Sequence, residues 1–188
     1  LRILRDLKPK AFVVENVYGL MTIDNGAIWE DVCERLANPG NGIYYNISTF
    51  RLNAADYGVP QFRDRVFIIG SSEGKSVKSI PPSHNNPIHP ELGLRPWRTV
   101  SDALFDLPDI GESVIGNHTG RKHSQRIIDR YTGLQPGERD PKTRINKLDL
   151  NRPSYTIIVG SDAGGGKGHV HPTLGREVTP RESARIQT

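Results

Sequence analysis

The chain has 188 residues, of which 35% are hydrophobic and 24% charged, with a formal net charge of +4. That length and apolar content suit one domain, or one and a half, with an adequate core, and no run approaches the ~20 apolar residues needed to span a bilayer. The start of the sequence lacks the basic, apolar, small-residue order of a secretory signal, and the single cysteine, Cys33, excludes an internal disulfide and fits a reducing compartment. The charge is uneven: residues 1–50 hold five Lys and Arg against six acids, whereas residues 116–152 hold nine against four. A basic second half suits a surface that tracks phosphates, and equally a solvated, Arg-rich loop surface.

Apolar residues at 1, 3, 4 and 7 predict a helix that Pro9 closes. It begins without a cap, so the chain is expected to be cut at its start. Ala11–Val17 then reads as a strand buried on both faces, with Glu15 and Asn16 at its carboxyl end, where open α/β sheets place ligands. The alternative is local: Glu15 caps the next helix and Asn16 makes a turn. Ile28, Trp29, Val32, Cys33 and Leu36 mark one face of a helix over 27–37, and a further strand is expected over 43–52. Strand, crossover helix and strand predict a right-handed unit of a mostly parallel sheet. Cys33, central on the apolar stripe, reads as a core residue rather than a nucleophile.

Gln61-Phe62-Arg63-Asp64-Arg65 runs directly into the apolar stretch Val66–Gly70. In extended form Gln61, Arg63 and Arg65 project from one strand face, a fork for an anion or a base edge or else a salt-bridged sheet edge. Residues 71–98 are rich in Ser, Pro, His and Asn and read as a surface excursion. A capped short helix follows over 99–108, with Thr99 or Ser101 as cap, and another is expected near 124–131 in an otherwise loop-rich module. Residues 155–159 form a β-branched run that leads into glycines at 160, 164, 165, 166 and 168, where the spacing of neither the P-loop nor the Rossmann loop is met. A backbone able to approach a ligand closely, beside Lys167, and a plain hairpin tip both fit. His169 and His171, alternating along the chain, lack the partners of a metal site and read as polar surface. Thr179, Pro180 and Glu182 make a capping box, so a helix starts there; it stops after two turns, as in an excised piece.

Glu15-Asn16-Val17, Gln61 to Arg65, and Arg176 to Gln187 with Arg181, Glu182, Ala184 and Arg185 resemble, in identity and order, the ENV, QxRxR and RExARxQ motifs of the DNA (cytosine-5) methyltransferases. Asn53 to Pro60 and the Tyr155-Thr156-Ile157 run are also similar to that family. The resemblance implies an α/β chain: part of a Rossmann-like S-adenosylmethionine-dependent methyltransferase sheet plus a smaller, loop-rich target recognition module. Residues 1–70 would be the carboxyl-side part of the catalytic domain, 71–171 the recognition module and 172–188 the start of the helix returning to the catalytic domain. The donor loop and the Pro-Cys nucleophile motif have no counterpart here, so most of the S-adenosylmethionine pocket is expected outside the chain.

The family's reaction adds a thiolate to carbon 6 of a flipped cytosine in double-stranded DNA, so that carbon 5 accepts the methyl group. The resemblance implies that Glu15, kept protonated by desolvation, donates to ring nitrogen 3. Arg65 and Arg63 would hold the 2-carbonyl, the carboxyl group or a phosphate, and Asn16 would order the loop. Gln61, Gly164, Gly165, Gly166, Lys167, Arg121, Lys122, Arg126, Arg144 and Arg181 are the expected DNA contacts. The missing amino-terminal part of the methyltransferase is the expected protein partner, with no membrane and no metal. The expected setting is restriction-modification in a bacterial cytoplasm, or a nucleus in a eukaryote. A non-catalytic DNA- or partner-binding remnant and an RNA cytosine methyltransferase are the alternatives.

Overall fold

The computed structural model describes residues 1–110, 115–158 and 168–188. It divides into two compact units, Leu1–Asn53 with Asp64–Pro82, and Ala54–Arg63 with Ser83–Thr188.

The first unit is a three-stranded sheet with helices α1 (Arg2–Leu7) and α2 (Ala27–Ala37). Strands β1 (Ala11–Val17) and β2 (Asn46–Asn53) both pair antiparallel with β3 (Asp64–Ser71), giving the order β1-β3-β2. The two strands joined through α2 therefore run in the same direction, as a crossover requires, but are not neighbours: β3 enters between them and reverses the pairing. The expected purely parallel unit is corrected accordingly.

Side chains in register share a face, so Val66, Ile68 and Gly70 of β3 lie with Phe12 and Val14 of β1 on the buried side. Val66 and Ile68 are buried, and Phe12 packs edge-on against buried Tyr45, whose hydroxyl donates to Pro9 O at 2.9 Å. A side chain at position 70 would run into the Phe12 ring, so glycine there lets that ring lie flat on the strand. The opposite face is open: Val13 is 64% exposed and Val17 53% exposed. β1 is thus not buried on both faces. It pairs with β3 alone among the described residues, and its burial alternates along the strand, because an apolar run specifies burial only when neighbours cover it. Cys33 lies half-buried on α2, and burial pushes its thiol up.

The second unit carries β4 (His84–Asn85) and β5 (Arg95–Pro96), which pair parallel, and helices α3 (Val100–Leu104), α4 (Gln125–Gly133) and α5 (Pro180–Ile186). Thr99 caps α3 and Thr179 caps α5, each in a reciprocal box with Asp102 or Glu182 three residues on. α3 and α5 close one core with Leu148, Ile157 and Val178, while α4 supplies Tyr131 to another with Leu134, Ile145 and Val170. Each fully buried aliphatic side chain in these clusters contributes about 1.5–3 kcal/mol of transfer free energy. The β-branched run 155–158 forms no ladder strand. Among the described residues of this stretch only Ser154 makes a bridge, to Gln61 in the irregular segment before β3.

Candidate active site

The ends of β1 and β3 meet in register, Val17 opposite Arg65 and Glu15 opposite Phe67, which places Glu15 and Arg65 on one face. Arg65 Nε lies 3.0 Å from Glu15 Oε1 as an ion pair, and Arg65 Nη1 donates to its own neighbour's carbonyl, Asp64 O, at 2.7 Å. The Arg65 side chain is 16% exposed and that of Glu15 49%, so the pair is anchored on the arginine side and open on the acid side. Such a half-open pair is a weak contributor to stability, and its open side is the Glu15 carboxyl, since Nε and Nη1 of Arg65 are already engaged. The enclosure expected to desolvate Glu15 is not formed by the described residues. Asn16 turns its own side chain back, with Oδ1 accepting from Val17 N at 2.8 Å, a local turn that shapes the exit from β1.

A second arginine, which sequence reasoning missed, braces the same strand ends. The Arg51 guanidinium lies 3.8 Å over the Tyr18 ring, and its Nη2 donates to Asp64 Oδ2 at 3.0 Å. Tyr18 follows directly on β1 and Asp64 opens β3, so one cation touches both chain segments that carry the pair.

Gln61 and Arg63 do not share a strand face with Arg65. β3 begins only at Asp64, and the residues before it belong to the second unit. The tight turn Gln61 N to Val59 O (2.7 Å) redirects the backbone at Pro60, and Phe62 N then bonds Ser154 O at 2.8 Å. Gln61 is fully buried, and its side-chain amide has no hydrogen-bond partner among the described residues. Ala54 N donates to Arg63 O at 3.1 Å, closing this segment on itself.

The structure sorts the basic residues of the second half by use. Arg130 forms a pair with fully buried Asp140 (Nε to Oδ1, 2.7 Å), and Lys147 Nζ donates to the carbonyls of Tyr131, Thr132 and Leu134 at the end of α4. These two are structural. Arg121, Lys122, Arg126 and Arg144 are exposed, whereas Arg181 donates through Nε and Nη2 to Gly116 O. Gly164, Gly165, Gly166 and Lys167 lie outside the described residues.

The RExARxQ segment builds a buried electrostatic knot. Arg176 forks onto Glu182 with bonds of 2.8 and 2.7 Å, and Thr179 N donates to the same carboxylate at 2.7 Å. Burial pushes the Glu182 carboxyl up, but the Arg176 bonds and the Thr179 amide outweigh it and hold the group below its ordinary value. His171 Nδ1 accepts from the backbone amides of Thr173 and Leu174, so the ring proton sits on Nε2, 3.6 Å from Glu182. Burial, opposed by Glu182 and reinforced by Arg176, lowers the His171 pKa to about 4. His169 is buried as well, so neither histidine is the surface residue its alternation suggested. His171, Arg176 and Glu182 line a cavity of about 270 Å³ walled by Leu104, Phe105 and Leu174. Among the described residues no group of three or more His, Cys, Asp or Glu could hold a metal ion, and no helix is long and apolar enough to cross a membrane.

The fold is that of a methyltransferase. It matches, at TM-score 0.70 and 25% identity, the crystal structure of a prophage-encoded protein of E. coli assigned as a DNA modification methyltransferase, over 98% of this chain and 60% of that one. The model of the C-5 cytosine-specific DNA methylases matches residues 1–188, and the chain belongs to that family. Among its relatives, Type II methyltransferase M.BsuRI of Bacillus subtilis is 37% identical over the whole chain and 41% of its own length. M.BbvI of Brevibacillus brevis is 31% identical over the whole chain and 51% of its own length, and M.AquIA of Picosynechococcus is 40% identical over 57% of the chain and 48% of its own. The chain spans about half the length of the curated relatives it matches. The family is S-adenosylmethionine-dependent.

Proposed function

We propose that this chain is the carboxyl-side segment of a DNA cytosine-5 methyltransferase that acts on a flipped cytosine in duplex DNA. The observation that carries the reading is the Glu15–Arg65 pair at the paired ends of β1 and β3. When a nucleophile adds to carbon 6 of cytosine, electron density moves onto ring nitrogen 3 and the 2-carbonyl. Once the bound base and the remainder of the enzyme close over it, Glu15 takes up a proton from solvent and donates it in a hydrogen bond to nitrogen 3. Arg65 orients that carboxyl group and offers its remaining donors to the 2-carbonyl, with Arg63 assisting. The nucleophile belongs outside these residues, for Cys33 sits on a helix stripe with its thiol pushed up by burial, the reverse of activation. The donor, S-adenosylmethionine, supplies the methyl group. Glu15, Asn16 and Val17 are too exposed to enclose a molecule of that size, so its pocket is assigned to the remainder of the enzyme.

Residues 1–70 then carry the catalytic sheet, 71–171 the target recognition module, and 172–188 the start of the helix returning to the catalytic domain. Exposed Arg121, Lys122, Arg126 and Arg144, together with Lys167, are assigned to phosphates, and Gly164, Gly165 and Gly166 are assigned to the bases. Alone, the segment is inactive. DNA is preferred over RNA because the relatives this chain matches over its whole length are Type II methyltransferases.

The test compares transfer from labelled donor to duplex DNA and to transfer RNA, in the enzyme assembled with the remaining motifs. Glu15→Gln and Arg65→Ala are expected to cut transfer by about 10²-fold or more with DNA affinity within a few-fold, and Lys167→Ala to weaken affinity first. Parallel loss of binding in all three variants would refute the assigned roles.

A further inference from the structure

Among the described residues three arginines lie over aromatic rings: Arg51 over Tyr18, Arg130 over Tyr131 and Arg152 over Phe62, at 3.8, 5.5 and 5.7 Å from the ring centroids. Two of them are also held by a carboxylate, Arg51 by Asp64 and Arg130 by Asp140. Arg152 differs. Its side chain is exposed and makes no ion pair or hydrogen bond among the described residues, while the nearby Asp149 carboxylate is taken by Asn151 N at 2.9 Å. Its backbone, in contrast, is fixed. Val100 N donates to Arg152 O and Ser101 N to Leu150 O, both at 3.0 Å, which ties residues 150–152 to the capped first turn of α3. Pro153 and Ser154 follow, both buried, and Ser154 is bonded through N to Pro60 O at 2.9 Å and through O to Phe62 N at 2.8 Å. The ring under the guanidinium is fixed as well: Phe62 meets Trp97 edge-on with centroids 5.0 Å apart, and Trp97 Nε1 donates to Asp56 Oδ1 at 2.8 Å. All of these residues belong to the second unit.

We propose that Arg152, carried on the Phe62 ring, is a phosphate-binding residue and that the phosphate belongs to duplex DNA. This rests on the function proposed above and extends it to a residue outside the contacts assigned there. A guanidinium on an aromatic face keeps every N–H donor, because these lie in its own plane at the rim, and the ring limits the rotamers it must give up when an acceptor arrives. An arginine with no carboxylate to neutralise it then meets a phosphate with its fork intact. Arg95 and Arg98, both exposed and within two residues of Trp97 in the chain, add positive charge around the same stack. Duplex DNA is the assigned source because the second unit also exposes Arg121, Lys122, Arg126 and Arg144, and a backbone carrying a charge at every step engages many such cations at once.

The experiment measures Kd for duplex DNA and for transfer RNA over a salt series, in the assembled enzyme, for wild type, Arg152→Gln, Arg152→Lys, Phe62→Leu and the double variant Phe62→Leu with Arg152→Gln. Arg152→Gln is expected to weaken duplex binding about fivefold at ~0.1 M salt and to make the slope of log K against log salt shallower by about 0.9, the loss of one phosphate contact. Arg152→Lys keeps the charge and should keep the wild-type slope. Phe62→Leu should weaken binding about threefold in the wild-type background and have no further effect in Arg152→Gln, because the ring acts through the cation. An unchanged slope in Arg152→Gln, or the same loss of slope in Arg152→Lys, overturns the phosphate contact. Equal effects of Phe62→Leu in both backgrounds overturn the part given to the ring, and a slope change seen with transfer RNA alone overturns the assignment to DNA. If wild type transfers methyl groups to neither nucleic acid, the function proposed above falls. The salt series needs no transfer and still decides the role of Arg152.

Discussion

Arg176→Ala tests the knot at the start of α5. In wild type the Glu182 side chain is 3% exposed, receives two guanidinium bonds of 2.7 and 2.8 Å, and accepts one backbone bond. Removing Arg176 leaves a buried carboxylate with the Thr179 amide and the more distant His171 ring, and breaking one partner of a buried pair costs about 3–5 kcal/mol. The adjoining cavity lets water reach Glu182, which places the expectation at the lower end, about 3 kcal/mol. That is a large share of an ordinary domain's stability of about 5–15 kcal/mol. Urea unfolding monitored by Trp97, in a Trp29→Phe background, reports on the second unit alone because Trp29 lies on α2 of the first. The sign with pH follows from the Glu182 carboxyl being held below its ordinary value. Stability from such a group is present above the unfolded pKa near 4.3 and is lost as pH falls through the lower folded value. The gap between wild type and Arg176→Ala should therefore be full at pH 7 and narrow below about pH 4. A loss under about 1 kcal/mol at pH 7, or a gap independent of pH, would refute the reasoning.

The buried His171 acts in the same direction through a different cause, burial of its ring. Its folded pKa, about 4, lies below the unfolded value, so the neutral ring contributes stability above about pH 6.5 that is lost as pH falls toward 4. Glu182, Arg176, Asp109 and His118 are the charged and titratable groups acting on it. His171→Gln should flatten the stability slope across that window, and an unchanged slope would remove His171 as its source. At Gly58, φ is +88° and an added Cβ would sit 2.7 Å from the His84 ring. Gly58→Ala should destabilise the second unit by about 1–3 kcal/mol in the same Trp97 assay, through the left-handed backbone and the crowding together.

The locally determined parts of this fold could be read from the sequence. The 3.6-residue spacing of Ile28, Trp29, Val32, Cys33 and Leu36 gives α2, and the Thr179–Glu182 box gives the first turn of α5, because both signals lie within a few residues of their effect. Glu15 and Arg65 were legible as motif residues, and the structure brings them to 3.0 Å. What failed was long-range. Nothing in Ala11–Val17 says that its neighbour is β3, antiparallel, or that one face stays open. Gln61 and Arg63 looked like strand residues until Pro60 and the bond from Phe62 to Ser154 diverted them. The Arg51 brace was hidden because its partners, Tyr18 and Asp64, are 33 and 13 positions away.

Residues 54–63 leave the sheet after β2, complete the second unit and return as β3. Asp56 receives Trp97, Pro60 receives Ser154, and Phe62 receives Thr156. A segment cut from Ser83 onward would lose all three acceptors at once, so the second unit is not a cassette that can be lifted out by a single boundary. Any exchange of recognition units between related enzymes must carry the ten-residue loop with it or rebuild its acceptors. The loop also contains Gln61 and Arg63, so such an exchange transfers part of the proposed catalytic motif together with the second unit, which holds most of the proposed recognition module.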